Sequence, residues 1–256
     1  VTPAVNAFHT KDVWMHVASN AEPGIIEGAP LVSVDSGEVA LDGLRVDDVR
    51  AVEQTKRPAR LWGLALALRA REQSWRTVHV KEAWPGVVAY RFGADVPAAV
   101  VKSVIMTAGH AGARRGSVLV AIARERDARS AMARLAVDPL MIAEPHANLL
   151  YVHVAHNLVE YAWNWSGANA LSRVALDEPD ASRAFGASVA RLWQSEGLHR
   201  DPHDGRFDQA IVHVDNDVRF ATLVAQLDAL CAARRIVHET GRDRNVCALT
   251  LNVAED

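Results

Sequence analysis

A chain of 256 residues with 50% hydrophobic and 23% charged content has the make-up of a globular protein, long enough for one large or two modest domains. Its formal charge of -3, with acidic and basic residues interspersed, sets up no long-range field to collect nucleic acid or an anionic membrane, so neither partner gains support from charge. No apolar run approaches the roughly 20 residues that span a bilayer, and the start at Val1 without a methionine leaves room for a leader or anchor upstream.

Residues 1–30 are punctuated by Pro3, Pro23, Gly24, Gly28 and Pro30 and are expected to form an N-terminal arm, with Phe8, Val13, Trp14 and Val17 available for packing. From Leu31 the run LVSVDSGEVALDGLRV alternates, turns at Ser36-Gly37 and alternates again, which predicts a hairpin, with Asp42-Gly43 as a second turn. Leu61, Leu64, Ala65 and Leu68 form the stripe of an amphipathic helix over 60–71. A strand from Val87 to Phe92, a turn through Gly93 to Pro97, a helix ending near Gly109 to Gly112 and a strand from Ser117 to Ala123 complete a first unit, β-β-α-β-α-β, over 31–124. Residues 125–147, rich in Arg, Asp and Ala with Pro139 and Pro145, read as a short helix plus linker.

The second unit, 148–256, opens on LLYVHVA and pairs it with a strand around Glu160 to Trp165. Asp180 is placed to cap a helix whose Phe185, Val189, Leu192 and Trp193 share a face. A polar loop from Gly197 to Arg206, the strand AIVHV, a helix carrying Leu223, Val224, Leu227 and Leu230, a polar loop from Glu239 to Arg244 and a last strand from Val246 to Val253 follow. Setting Asp95-Val96 on Asp217-Val218, an offset of 122 residues, aligns the flanking patterns of the two units. The expected fold is therefore α+β: two tandem β-β-α-β-α-β domains, each a small mixed sheet with two helices on one face, forming a pseudo-symmetric pair. Cys231 and Cys247 fall on elements that can be neighbours; they read as buried free thiols, with a disulfide as the alternative, and leave the redox compartment open.

Several residues carry candidate chemistry. Asp95 and Asp217, at strand-to-helix turns, suit helix capping, where a carboxylate meets free N–H groups and the positive end of the dipole, and Pro97 suits the first helical position. His153 and His156 are three apart on a strand and face opposite sides, which argues against a shared metal. His199 and His203 with Asp201 and Asp204 are a better cluster for an ion, although Pro202 and Gly205 mark an ordinary solvated turn. Tyr161, Trp163 and Trp165 alternate along one strand; they read as core under Phe185 and Trp193, the alternative being a face that stacks on a partner or on glycan rings. No G-x-S-x-G elbow, P-loop, dinucleotide fingerprint or H-E-x-x-H is present, so no catalytic residue and no cofactor is assigned.

The run FGADVPAAVVKSVIMTAGHAGARRGSVLVA, with the upstream hairpin, resembles the signature of the ExbD and TolR periplasmic domains, in which a strand ends in a small residue and an Asp, a helix follows and closes in Ala-Gly, and a last strand comes next. The second unit keeps Asp217-Val218 but has Arg219 in place of Pro97 and Ala232-Ala233 in place of Ala-Gly. The resemblance implies a non-enzymatic protein of the periplasm or cell envelope that binds envelope proteins of a proton-driven transport or motor assembly, and also peptidoglycan. Two departures from the family stand out: no N-terminal transmembrane helix is present in this sequence, which leaves direct proton coupling in doubt, and the domain is doubled, which suggests two fused halves of a homodimer. The alternatives are a metal-dependent hydrolase working through the His199 to Asp204 loop and a purely structural dimerisation module.

Overall fold

The computed structural model describes residues 20–23, 28–35, 37–123, 130–139, 148–164, 171–178, 180–239 and 241–254. Most of the expected N-terminal arm, with Phe8, Val13, Trp14 and Val17, lies outside the described residues, as does Ser36. In chain order the described residues form β1 (Glu22–Pro23), β2 (Leu31–Asp35), β3 (Glu38–Leu41), β4 (Leu44–Asp48), α1 (Arg50–Thr55), α2 (Trp62–Val78), β5 (Val87–Phe92), α3 (Ala98–His110) and β6 (Arg115–Ala123). The order continues with β7 (Ser130–Pro139), β8 (Leu149–Val154), β9 (Leu158–Trp163), β10 (Ser172–Ala175), α4 (Ala181–Glu196), β11 (Asp208–Val214), α5 (Phe220–Leu230), β12 (Arg234–Glu239), β13 (Arg242–Cys247) and β14 (Leu249–Val253).

The expectation of two small sheets with two helices each is overturned. One mixed sheet runs through the molecule in the order β10-β9-β8-β11-β14-β7-β6-β5-β2-β3-β4, with β1 added beside β7, and five helices accompany it. The cause is β7, in the stretch read as a short helix and linker. It pairs antiparallel with β6 over seven residues, from Ser117 opposite Ala136 to Ala123 opposite Ser130, and parallel with β14 through Val137, Asp138 and Pro139. Leu135 and Val137 are buried while Ala136 between them is exposed, the period-two signature of a strand. Composition concealed that alternation.

Either side of β7, the strand orders β4-β3-β2-β5-β6 and β10-β9-β8-β11-β14 match. Each half is a three-stranded antiparallel meander, a helix (preceded in the first half by the short α1), a parallel strand, a second helix and a parallel strand, so the meander is one strand longer than the sequence pattern suggests. The polar loop expected between the last helix and strand is instead the separate two-stranded hairpin β12-β13. One face of the sheet is buried under the helices through Val88, Tyr90 and Phe92 of β5, Leu150, Val152 and Val154 of β8, and Ala210, Val212 and Val214 of β11. Tyr90 also requires Gly116 beneath it, where a Cβ would lie 2.3 Å from the ring.

The halves meet at the N-termini of α3 and α5. Ala98 N–H donates to the Val218 carbonyl and Phe220 N–H to the Val96 carbonyl, both at 2.8 Å; Ala99 N–H donates to Asn216 and Ala221 N–H to Ala94, both at 3.0 Å. Under the 122-residue offset each bond maps onto its opposite number. The Phe92 and Phe220 rings pack across the same contact with centroids 5.0 Å apart, and the buried Lys102 donates to the Val214 carbonyl at 3.0 Å. These carbonyls correct the capping assignment: neither helix has a side-chain cap, and Pro97 precedes the first helical residue instead of occupying it. Asp95 pairs with Arg219 at 2.8 Å, but at 83% and 67% side-chain exposure the pair contributes little, and Asp217 is exposed. Asp180, left-handed at φ 65°, makes no cap bond to α4 and binds Arg183. A carboxylate does serve the start of α2, where Asp47 Oδ2 accepts from Gly63 and Leu64 N–H.

Cys231 and Cys247 are bonded, with Cα atoms 4.7 Å apart, which corrects the reading of two free thiols. The bridge ties the end of α5 to the end of β13 across 16 residues. Chain-entropy reasoning puts such a loop at about 3 kcal/mol, so reduction is expected to lower the melting temperature by roughly 5–10 °C in a thermal scan with and without reductant. Ala98→Pro keeps a helix-compatible first residue but deletes the N–H that serves the buried Val218 carbonyl, and urea unfolding is expected to show a loss of about 1–3 kcal/mol.

Candidate functional site

The helix-free face of the second half carries a polar cluster. Tyr151 and His153 on β8 and His213 on β11 alternate with the buried valines and so point away from the helices. Strand register sets four side chains in one row across the sheet: Arg173 opposite Glu160, Glu160 opposite His153, and His153 beside His213. Asp215, just past β11, closes the row from the end.

His153 lies between two carboxylates. Its Nε2–H donates to Asp215 Oδ1 at 2.9 Å, and its Nδ1 faces Glu160 Oε2 at 3.6 Å, while Arg173 Nε donates to Glu160 Oε1 at 2.6 Å. The bond to Asp215 holds the His153 imidazolium above the ordinary histidine range against the opposing effect of partial burial, and Glu160 adds to it. Glu160 is held below the usual carboxylate range, chiefly by the hydrogen bond from Arg173. His153, Glu160, His213 and Asp215 line a cleft of about 550 Å³ whose apolar wall includes Tyr151 and Leu171. Its volume is that of a small ligand or a short peptide segment.

The matching positions of the first half hold neither an imidazole nor a carboxylate. In the same register the row there reads Arg45, Ala40, Ser33 and Arg91, with Gly93 at the place of Asp215. The fold therefore does not require the cluster.

The sequence-derived candidates fall elsewhere. His199 Nδ1 contacts Asp204 Oδ2 at 2.8 Å, and Arg206 with its backbone N–H holds the Asp204 carboxyl well below its usual range, His199 adding to the effect. Asp201 accepts from His203 N–H in a turn, the His203 ring packs against His238, and the buried Arg235 donates to the carbonyls of Asp201, Asp204 and Arg206. These bonds make an internally stapled loop, and among the described residues no group of three His, Cys, Asp or Glu is arranged to hold a metal ion. His156 sits in the turn after β8, apart from His153.

Tyr161 and Trp163 are 7% and 6% exposed, Tyr161 packing edge-on against Phe185, so neither ring offers a binding face; Trp165 lies outside the described residues. Trp163 belongs to a buried polar chain. Its indole N–H donates to Asn148 Oδ1, Asn148 donates to Asp208 Oδ1, and the Trp193 indole donates to Asp208 Oδ2, each within 2.8–2.9 Å.

Sequence reasoning missed the His153 cluster. The available signal was the tripeptide Val-His-Val, at 152–154 and again at 212–214, in two strands that lie side by side in register. Two outward imidazoles between inward valines are the trace of a polar face opposite a core.

Fold and cluster together define an α+β protein with one continuous mixed sheet and an imidazole–carboxylate cleft on its open side. Comparison with protein-family models, with curated proteins and with solved structures finds no match to this chain.

The raised His153 value has a signed consequence. Its contribution to stability is complete below the ordinary histidine value of about 6.5 and is lost as pH rises through the higher folded value. Asp215→Asn is expected to bring the His153 titration midpoint back towards that ordinary value, read from the imidazole resonances in an NMR pH series.

Proposed function

We propose that the protein is a non-enzymatic adaptor of the cell envelope that docks protein partners of a transport or motor assembly. The observation that carries this reading is the reciprocal backbone contact between the α3 and α5 N-termini, which joins two matching halves as subunits are joined in a symmetric dimer, each half giving what it receives. The resemblance of 92–121 to the ExbD and TolR domains supports the same class. A buried-side disulfide fits an oxidising compartment such as a periplasm. Among the described residues no helix is long and apolar enough to cross a membrane.

The cleft beside His153 is the docking socket in this reading. Asp215 and Glu160 fix the imidazole, and Tyr151 and Leu171 supply the apolar contact. Peptidoglycan recognition by the aromatic strand loses its support, because Tyr161 and Trp163 are buried; the metal-dependent hydrolase gains none from the His199 loop.

Affinity capture from detergent-solubilised envelopes, followed by cross-linking mass spectrometry, tests the proposal. The expected result is a defined envelope protein cross-linked near β8 and β11, with yield reduced at least tenfold by His153→Ala with His213→Ala in protein that still unfolds cooperatively. Equal capture by the double variant, or no envelope protein captured by either, overturns it.

A further inference from the structure

Helix α2 is apolar on two sides. Leu64, Ala65 and Leu68 face the core, yet Trp62 and Leu66, one turn apart on the outward stripe, are each 65% exposed, and Leu44 of β4 is 74% exposed. Asp47 binds the start of α2 at Gly63, and Arg71 further along the helix reaches Asp42 at 3.6 Å, so α2 runs back along β4 and passes Leu44 in between.

The fold does not demand this exposure. Phe185, Gly186 and Val189 fill on α4 the buried places of Leu64, Ala65 and Leu68, which carries Trp62 onto the charged Arg183 and Leu66 onto the small Ala187. Large apolar side chains left in water at these positions of one half only mark a surface with a use.

The collar around them is cationic. Lys56 and Arg57 are exposed in the α1–α2 connection, the Arg60 guanidinium lies 4.7 Å from the Trp62 ring centre, and Arg69 follows Leu66 by one turn. Arg60 Nε is buried with no hydrogen-bond acceptor among the described residues. Nearby carboxylates are engaged within the fold: Asp47 by Gly63 and Leu64 N–H, Asp42 by Leu31 N–H and Arg71, Asp48 by Arg45 and Arg50. Glu53, exposed on α1, is the acidic exception. A chain of net charge -3 thus presents a locally positive corner.

We propose that this corner seats on a bilayer surface containing anionic lipid, with Trp62 and Leu66 entering the interfacial layer and Lys56, Arg57, Arg60 and Arg69 meeting headgroup phosphates. Shape separates a membrane from a peptide here. Side chains two-thirds exposed protrude instead of lining a groove, and peptides are taken by grooves and strand edges, whereas protruding Trp and Leu ringed by Lys and Arg match the water–lipid interface. This inference stands apart from the docking role of the His153 cleft and survives if that role fails.

Vesicle flotation of the full chain tests it, using phosphatidylcholine vesicles with and without phosphatidylglycerol. Flotation is expected only with the anionic vesicles, to weaken as salt is raised, and to fall about tenfold or more in Trp62→Ala with Leu66→Ser and in Arg57→Glu with Arg69→Glu. Circular dichroism melting checks that both exposed-site variants keep the wild-type fold. No flotation with anionic vesicles, equal flotation with both vesicle types, or undiminished flotation of either variant overturns the proposal. So does a change in molecular mass by size exclusion in the Trp62/Leu66 variant, which would assign the corner to a second copy of the chain.

Discussion

Four backbone hydrogen bonds between the starts of α3 and α5 hold this structure's two halves in register. The first turn of any helix exposes N–H groups without partners, and a buried helix start must find acceptors or lose stability. Here each half satisfies the other's first turn with the carbonyls of its own strand-to-helix turn. Chains can approach that closely because Ala94, Ala98 and Ala99 are small, and the contact is sealed by Phe92 against Phe220. Side-chain capping becomes unnecessary there, which is why Asp95 and Asp217 stand in solvent.

The legible parts of the sequence were those with local causes. Alternation in LVSVDSGEVALDGLRV and LLYVHVA identifies strands, and the stripes Leu64/Leu68 and Phe185/Val189 identify helices, because period and burial coincide within a few residues. The offset between Asp95 and Asp217 is also legible, but what it means in space is not. A carboxylate before a helix looks the same whether it caps that helix or yields to a carbonyl from the other half of the chain. The strand β7 hid behind its three alanines and the charge of Arg134, since a strand in the middle of a sheet is defined by neighbours that local composition does not name. The His153 row hid for the same reason: Glu160, His153 and His213 come together only through register.

Matching topology has not kept the halves alike. The second half places imidazoles and carboxylates on its open sheet face where the first has Ser33, Ala40 and Gly93. The first half exposes Trp62 and Leu66 where the second has Arg183 and Ala187. Beneath, the cores differ too: Trp163, Asn148, Asp208 and Trp193 form a hydrogen-bonded chain in the second half, each polar atom given a partner that fixes its neighbours' rotamers. A joined pair frees each half to specialise, since neither has to remain complementary to a copy of itself.

The seam strand has a mechanical consequence. Among the described residues β7 is bound to β6 by seven pairs but to β14 by three, and the disulfide lies wholly within the second half. Tension drawn across the sheet from β4 to β10 therefore meets its shortest ladder among the described residues between β7 and β14. Under load the molecule parts there first, leaving β7 with the first half and the helix-to-helix contact as a tether. An element added to join two halves also fixes where they come apart.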